Sequence, residues 1–333
     1  MKQLLTANSF VVGIAVAILL AALAPEFGSE SGILPVPLLK AVGIFFIFFL
    51  QGVLLPLGEL KKGLTDWKLH LCVQTTTFLF FPVVVSAALA AFSSQFAQPD
   101  LRLGFLYLSF LPTTIASAIA LTTTSNGNVS GALFNTTLSN VGGIFLVPFL
   151  CLGFLGLSGT FQQIEVGPIL IGILLKIILP LLLGQGCRWF LKGWAERHKV
   201  GIRRFNNTVI LFIVYAAFCQ SFTEDVWTTI EGPVLLLTFI GALVLLAVAS
   251  FYVWFLSGLI RLDPPTRVAA FFCGSQKTLA VGLPLSVMIF GQDGLHADLS
   301  LLMVPLLVYH PAQLVLGGWL SPRLAKYAEK SVG

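Results

Sequence analysis

Apolar stretches of about 20 residues, long enough to cross a hydrocarbon layer, recur at roughly 7–24, 37–55, 69–92, 103–124, 128–154, 166–188, 206–222, 232–257, 267–290 and 298–320. Short polar links separate them. The windows at 103–124 and 128–154 run together except at Ser125-Asn126-Gly127-Asn128, which has the composition of a turn. Splitting there predicts ten transmembrane helices, and leaving the run whole predicts nine. Two regions break the apolar pattern from within. Phe271 to Pro284 reads FFCGSQKTLAVGLP and sets Gly274, Ser275, Gln276 and Lys277 side by side, while Pro112 to Asn140 reads PTTIASAIALTTTSNGNVSGALFNTTLSN. A lysine near the middle of a span costs roughly 2.5–3.5 kcal/mol on insertion scales and faces a bundle interior or a wet cavity. Polar interruptions at matching places in two halves of a membrane protein point to a transporter built from repeats with broken helices.

Charge decides between nine spans and ten. With ten spans and a cytoplasmic N-terminus, the inside segments hold Lys2; Lys61, Lys62 and Lys68; Arg188, Lys192, Arg197, Lys199, Arg203 and Arg204; Arg261 and Arg267; and Arg323, Lys326 and Lys330, which is 15 of the 19 basic residues. The outside loops hold nine of the 14 acids but only Lys40 and Arg102. Such bias places both termini in the cytoplasm, and a plasma (inner) membrane location is expected. Nine spans would break the alternation after residue 154. Ten divide five and five at the link 155–165, giving repeats 1–155 (spans one to five) and 156–333 (spans six to ten). An odd number per half makes the second half enter from the opposite side, the condition for an inverted repeat.

The composition, 57% hydrophobic and 10% charged, excludes a soluble enzyme, where about 25% charged residues is usual. The first window has no small-residue cleavage site at its exit, Pro25 to Ser29, and is read as span one instead of a signal peptide. Cys72, Cys151, Cys187, Cys219 and Cys273 lie in or beside apolar windows without ligand spacing and are read as packing residues. The net charge of +5 resides in loops and implies no nucleic acid partner. Arg188 to Phe205, RWFLKGWAERHKVGIRRF, is predicted to form a short helix lying against membrane lipid. No nucleotide-binding loop, H-E-x-x-H or G-x-S-x-G motif occurs, and no cofactor is implied beyond an ion.

Candidate chemistry gathers in the interrupted windows. Lys277, with polar neighbours, and Lys176, in span six, are two intramembrane cations with no Asp or Glu inside the spans, which makes a small organic anion the expected partner. Thr113 and Thr114 follow Pro112 and are expected to line a break. Pro112 and Pro284 flank the two polar stretches. Of the run Thr122-Thr123-Thr124-Ser125, half are expected to bond back to the preceding turn. His310, beside Pro311 and near Tyr309 and Gln313 in span ten, is a further substrate-side candidate.

LPLGEL (Leu55–Leu60), WKLHLCVQ (Trp67–Gln74), the PTTIAS and SNGNVSGALFNTTLSN pair and FCGSQKTLAVGLP together resemble the bile acid:sodium symporter superfamily, in particular its bacterial sodium-dependent branch related to the seventh human bile-acid carrier. The resemblance spans nearly the whole chain. It implies an all-α membrane protein with ten helices in two inverted five-helix repeats. A panel domain would hold spans one, two, six and seven, and a core domain the rest, with broken helices four and nine crossing beside cation sites. It also implies movement of organic anions, steroid-sized or smaller, with sodium. Ser117 falls on a sodium ligand of span four, but Ala118 stands where an asparagine is expected. With a one-residue gap near Ser125, Thr136 meets a threonine ligand of span five and Ala132 replaces a serine. In span nine the family's Glu-Val-Gly-x-Gln-Asn becomes Phe272-Cys273-Gly274-Ser275-Gln276-Lys277. Gln276 and the backbone near Cys273 and Ser275 remain for a second sodium site, while the carboxylate is gone and a cation replaces the asparagine. A span-three glutamine corresponds to Gln74 or is lost to Thr77. Two readings follow. Lys277 replaces the cation at the crossing in a cation-independent carrier, or sodium binds with help from Ser117, Thr136, Asn135, Asn140 and Thr114. A regulatory membrane protein of the same fold that has lost transport is the alternative of a different class.

Overall fold

The computed structural model describes residues 2–30, 32–55, 66–93, 95, 98–157, 166–291 and 297–329. Among them every regular element is helical. The order is α1 (Lys2–Leu23), α2 (Val36–Leu54), α3 (Trp67–Thr75), a π-helical turn (Thr76–Phe80), α4 (Phe81–Ala91), α5 (Pro99–Phe110), α6 (Ala116–Thr124), α7 (Val129–Leu157), α8 (Val166–Arg197), α9 (Lys199–Thr223), α10 (Gly232–Leu259), α11 (Pro264–Ser275), α12 (Leu279–Phe290) and α13 (Leu299–Glu329). Seven helical stretches among the described residues are long and apolar enough to span a membrane: Val36–Leu54, Trp67–Ala91, Val129–Phe154, Lys199–Thr223, Gly232–Leu259, Pro264–Phe290 and Leu299–Glu329. The other three apolar windows of the sequence coincide with α1, with the pair α5–α6 and with α8.

Burial shows which stretch is central. Of the best window in Pro264–Phe290, 94% is buried, against 33–50% in the other six. The outer helices turn apolar faces outward, with Leu19, Phe251 and Val315 exposed, as a lipid-facing surface requires. Helices α1, α2, α8 and α9 pack on one another, chiefly as α1 on α9 and α2 on α8, while α3, α6, α7, α10 and α13 pack around α11, and α9 and α13 against α12. Gly52 and Gly184 make the α2–α8 approach close. A Cβ at Gly52 would strike the Leu181 carbonyl, and one at Gly184 the Phe49 carbonyl. Small residues at a crossing let backbones meet in this way.

Local sequence explains the boundaries. Asp263 caps α11 by accepting from Thr266 N at 3.2 Å, with Pro264 and Pro265 in the first turn. The expected turn at Ser125–Asn128 is present. Asn126 takes a left-handed φ of 52°, and Asn128 Oδ1 accepts from Gly131 N at 2.9 Å to start α7. Thr123 and Thr124 bond back to Ile119 O and Leu121 O, as read from the hydroxyl run, and Ser125 reaches Ser321 Oγ at 2.8 Å.

One expectation needs correction. Arg188–Phe205 is not a separate surface helix. Lacking a proline, it continues α8 to Arg197 and begins α9 at Lys199, with only His198 non-helical between them. Pro284 flanks the second polar stretch from inside α12, and the interruption itself falls at 276–278. Pro56 to Leu60 of the LPLGEL motif, together with Lys61 and Lys62, lie outside the described residues, as do most of the link 155–165, Asp293, His296 and Lys330.

Candidate functional site

Two helices stop and restart inside the bundle. α5 ends at Phe110 because Pro112 forces Leu111 into an extended conformation (φ −64°, ψ 145°), and α6 resumes at Ala116. α11 ends at Ser275, Gln276 is extended (ψ 148°), and α12 starts at a Thr278 cap. The interruptions touch, with Thr278 N donating to Pro112 O at 2.9 Å.

Backbone groups freed inside a membrane need partners, and here side chains supply them. Asn140 Nδ2 donates to Thr113 O at 2.8 Å, and Thr113 N donates to Ser139 Oγ at 3.3 Å. Tyr309 donates to Ser275 O at 2.7 Å. Gln313 accepts from Lys277 N at 2.7 Å and donates to Lys277 O at 2.9 Å, and His310 Nδ1 lies 3.3 Å from the same carbonyl. Tyr107 donates to Gly282 O in the restarted helix.

Lys277 is fully buried. Its ammonium donates to Thr77 O at 3.0 Å, Ser109 O at 2.8 Å and Leu111 O at 2.7 Å, and lies 3.9 Å from the Phe81 ring centroid. These acceptors have a helical origin. Ser109 lies in the last turn of α5 and Leu111 is the extended residue that follows it, where carbonyls lack partners further along the helix. Thr77 lies in the π-helical turn, where Phe81 N bonds Thr76 O. The next bond in that register would run from residue 82 to Thr77 O, and Pro82 has no N–H to give. No acidic side chain among the described residues bonds the ammonium.

The other predicted residues fall into separate groups. Ser117 Oγ stands 2.8 Å from Gln276 Oε1 and 3.2 Å from Thr114 Oγ1, so one cluster joins both interrupted helices. Asn140 joins Thr113 instead, and the buried Thr113 Oγ1 and Asn140 Oδ1 have no hydrogen-bond partner among the described residues. Thr136 Oγ1 bonds back to Leu133 O at 3.1 Å and Ser275 Oγ to Phe271 O at 2.6 Å. Gln74 donates to Asn135 O at 3.2 Å, and Asn135 Nδ2 contacts His70 Nδ1 at 3.0 Å, in a second cluster between α3 and α7. Lys176 is exposed on α8, beside the outward stripe of Ile171, Leu175 and Leu179. Sequence reasoning did not single out Ser109, Leu111 or Phe81 around Lys277, and it named Thr77 only as the place of a lost glutamine, not for its carbonyl, for which Pro82 was the one signal.

The family model described as the SBF-like CPA transporter family (DUF4137) matches residues 8–326. Among curated proteins, sodium/bile acid cotransporter 7 of Xenopus tropicalis is 32% identical over 320 residues, covering 96% of this chain and 92% of the relative. The protein of the same name in Danio rerio is 33% identical over 321 residues, covering 95% and 93%. The candidate symporter YfeH of Escherichia coli is 30% identical over 295 residues, covering 88% and 86%.

Proposed function

The chain belongs to the SBF-like CPA transporter family, and from that premise we propose that it is a secondary active transporter that carries an organic anion across the plasma (inner) membrane. It is a membrane transporter and not an enzyme. In the proposed architecture ten spans form two inverted repeats, residues 1–155 and 156–333, with both termini cytoplasmic. α1, α2, α8 and α9 form the panel, and the remaining helices form the core. Two observations support the repeat, and the odd number of spans in each half makes it an inverted one. Both halves carry one interrupted helix, and exchanging the halves turns the α1–α9 pair into the α2–α8 pair.

The observation that carries the substrate class is the ammonium of Lys277, held at the meeting of the interrupted helices by carbonyl oxygens instead of an acidic side chain. Helix N-termini add to it, since α6 and α12 both begin at the meeting point and present their positive ends there. An anion in the cleft between panel and core is met by a positive field from all three. Sodium coupling is supported by the oxygens of Thr114, Ser117 and Gln276, which gather from both interrupted helices. They suit a hard cation, although no carboxylate accompanies them.

The test is uptake by proteoliposomes of radiolabelled taurocholate and of a small dicarboxylate, under inward sodium or choline gradients. Saturable uptake of one probe, faster in sodium and losing its sodium stimulation in Ser117→Ala, is expected. No uptake above protein-free vesicles for any organic anion would leave a transport-inactive regulator as the better reading.

A further inference from the structure

We propose that Lys277 is a tethered monovalent cation: its ammonium fills a cage of three backbone carbonyls and one aromatic face that would bind a free monovalent cation if the side chain were cut away. The inference deepens the transporter reading by naming the ion at the crossing, and it separates that position from the Ser117 cluster.

The cage is a property of the backbone more than of the lysine. Ser109 O and Leu111 O point off the end of α5 because Pro112 stops that helix, and Thr77 O is free because Pro82 has no N–H. All three carbonyls would keep their positions in a chain without the amine. Their number matches the donors, three N–H bonds for three oxygens at 2.7–3.0 Å, so the ammonium has none left for a substrate. Phe81 closes a fourth side at 3.9 Å, a distance at which a ring face attracts a cation. The end of α5 also presents the negative pole of its helix dipole. Carbonyl oxygens, a π face and a negative helix end form a site for a single positive charge. Lys277 carries that charge on its own stem, so the wild-type crossing takes no ion from solution at this point. Its effect on an anionic substrate is then a field acting at a distance.

Lys277→Ala and Lys277→Asn test this in the purified full-length protein, by thermal unfolding in chlorides of methylammonium, ammonium, potassium and choline at constant ionic strength. Methylammonium reproduces the end of the lost side chain, whereas choline is too bulky for the cage. Ligands that bind only the native state raise the midpoint saturably. Both variants are expected to unfold several degrees below wild type in choline and to recover part of that loss in methylammonium or ammonium, while wild type responds to neither. Variants that gain no more from these cations than wild type does, or that yield no folded protein even when prepared in methylammonium, overturn the proposal. So do variants with wild-type stability in choline that lose only anion uptake, since a substrate ligand behaves that way. Absence of uptake in wild type would count against the transporter reading and leave this result standing.

Discussion

Gln313 stands in for helical neighbours on both sides of one peptide, accepting the N–H of Lys277 and donating to its carbonyl. Gln313→Leu leaves the Lys277 N–H buried without a partner and its carbonyl with the His310 ring alone, 3.3 Å away, and an orphaned group costs about 1–3 kcal/mol. The variant is expected to lose about 2–4 kcal/mol, and Tyr309→Phe, which removes one bond to Ser275 O, about half as much; unfolding midpoints in detergent check the ratio. If the two variants matched wild type, the interrupted backbone would have other partners. A second residue couples stability to pH. Asp100, half-buried at the mouth of α5 ahead of the apolar window, has its carboxyl raised from 3.8 to about 6. Burial is the main cause, and the Asp298 carboxylate adds to it against a hydrogen bond from the Asp298 backbone. A carboxyl raised in the folded state favours the protonated form. Its stability contribution is therefore full below pH 3.8 and is lost as pH rises through about 6. Asp100→Asn is expected to raise the midpoint at pH 7.5 by the equivalent of about 1 kcal/mol, after discounting for solvent, and to flatten the profile between pH 4 and 6. At this scale the sequence revealed Lys277, because a cation inside a span is rare and costly. Its acceptors were hidden, since a carbonyl oxygen belongs to every residue and only the fold selects Thr77, Ser109 and Leu111.

Where elements meet, glycine placement separates close crossings from open surface. Gly184 lies against the Phe49 carbonyl, whereas Gly186, two residues on, has nothing within 4 Å of an added Cβ. A methyl group at Gly184 must push α8 off α2 because the obstacle is backbone and cannot turn aside. Gly184→Ala is expected to destabilise by about 1–3 kcal/mol, and Gly186→Ala to be neutral or slightly stabilising through helix propensity. Equal midpoints for the two variants would show that the α2–α8 interface yields easily. Interruptions were partly legible. Pro112 marked the end of α5 through its restriction on Leu111, while Pro284 only flanked the second polar stretch and lies six residues past the Thr278 cap, inside α12. A proline can sit inside a helix that keeps its course, so it is a weak signal unless the residue before it is forced out of helical geometry. The π-helical turn before Pro82 was not anticipated, because a proline's missing N–H frees one carbonyl without saying in which register the turn before it closes.

For the whole molecule, hydropathy placed helices in every apolar window, but composition did not reveal that α8 and α9 extend through the basic stretch 188–205. Charged residues with good helix propensity can carry a helix out of the lipid as easily as end it. That extension makes orientation measurable. α9 is long and apolar enough to cross between His198 and Glu224, both exposed, so in the proposed architecture the two residues mark opposite faces. In the proposed orientation, which rests on the charge bias of short loops, the end that carries Arg197, Lys199, Arg203 and Arg204 is the cytoplasmic one and His198 lies there. Native thiols interfere little, because Cys72, Cys151, Cys219 and Cys273 are buried and only Cys187 is partly accessible. In a Cys187→Ser background, Glu224→Cys is expected to react with a membrane-impermeant maleimide on intact cells, and His198→Cys only after the membrane is opened. The reverse labelling would invert the protein. Labelling of both residues from outside would mean that α9 does not cross, and the ten-span, inverted-repeat architecture would fall with it.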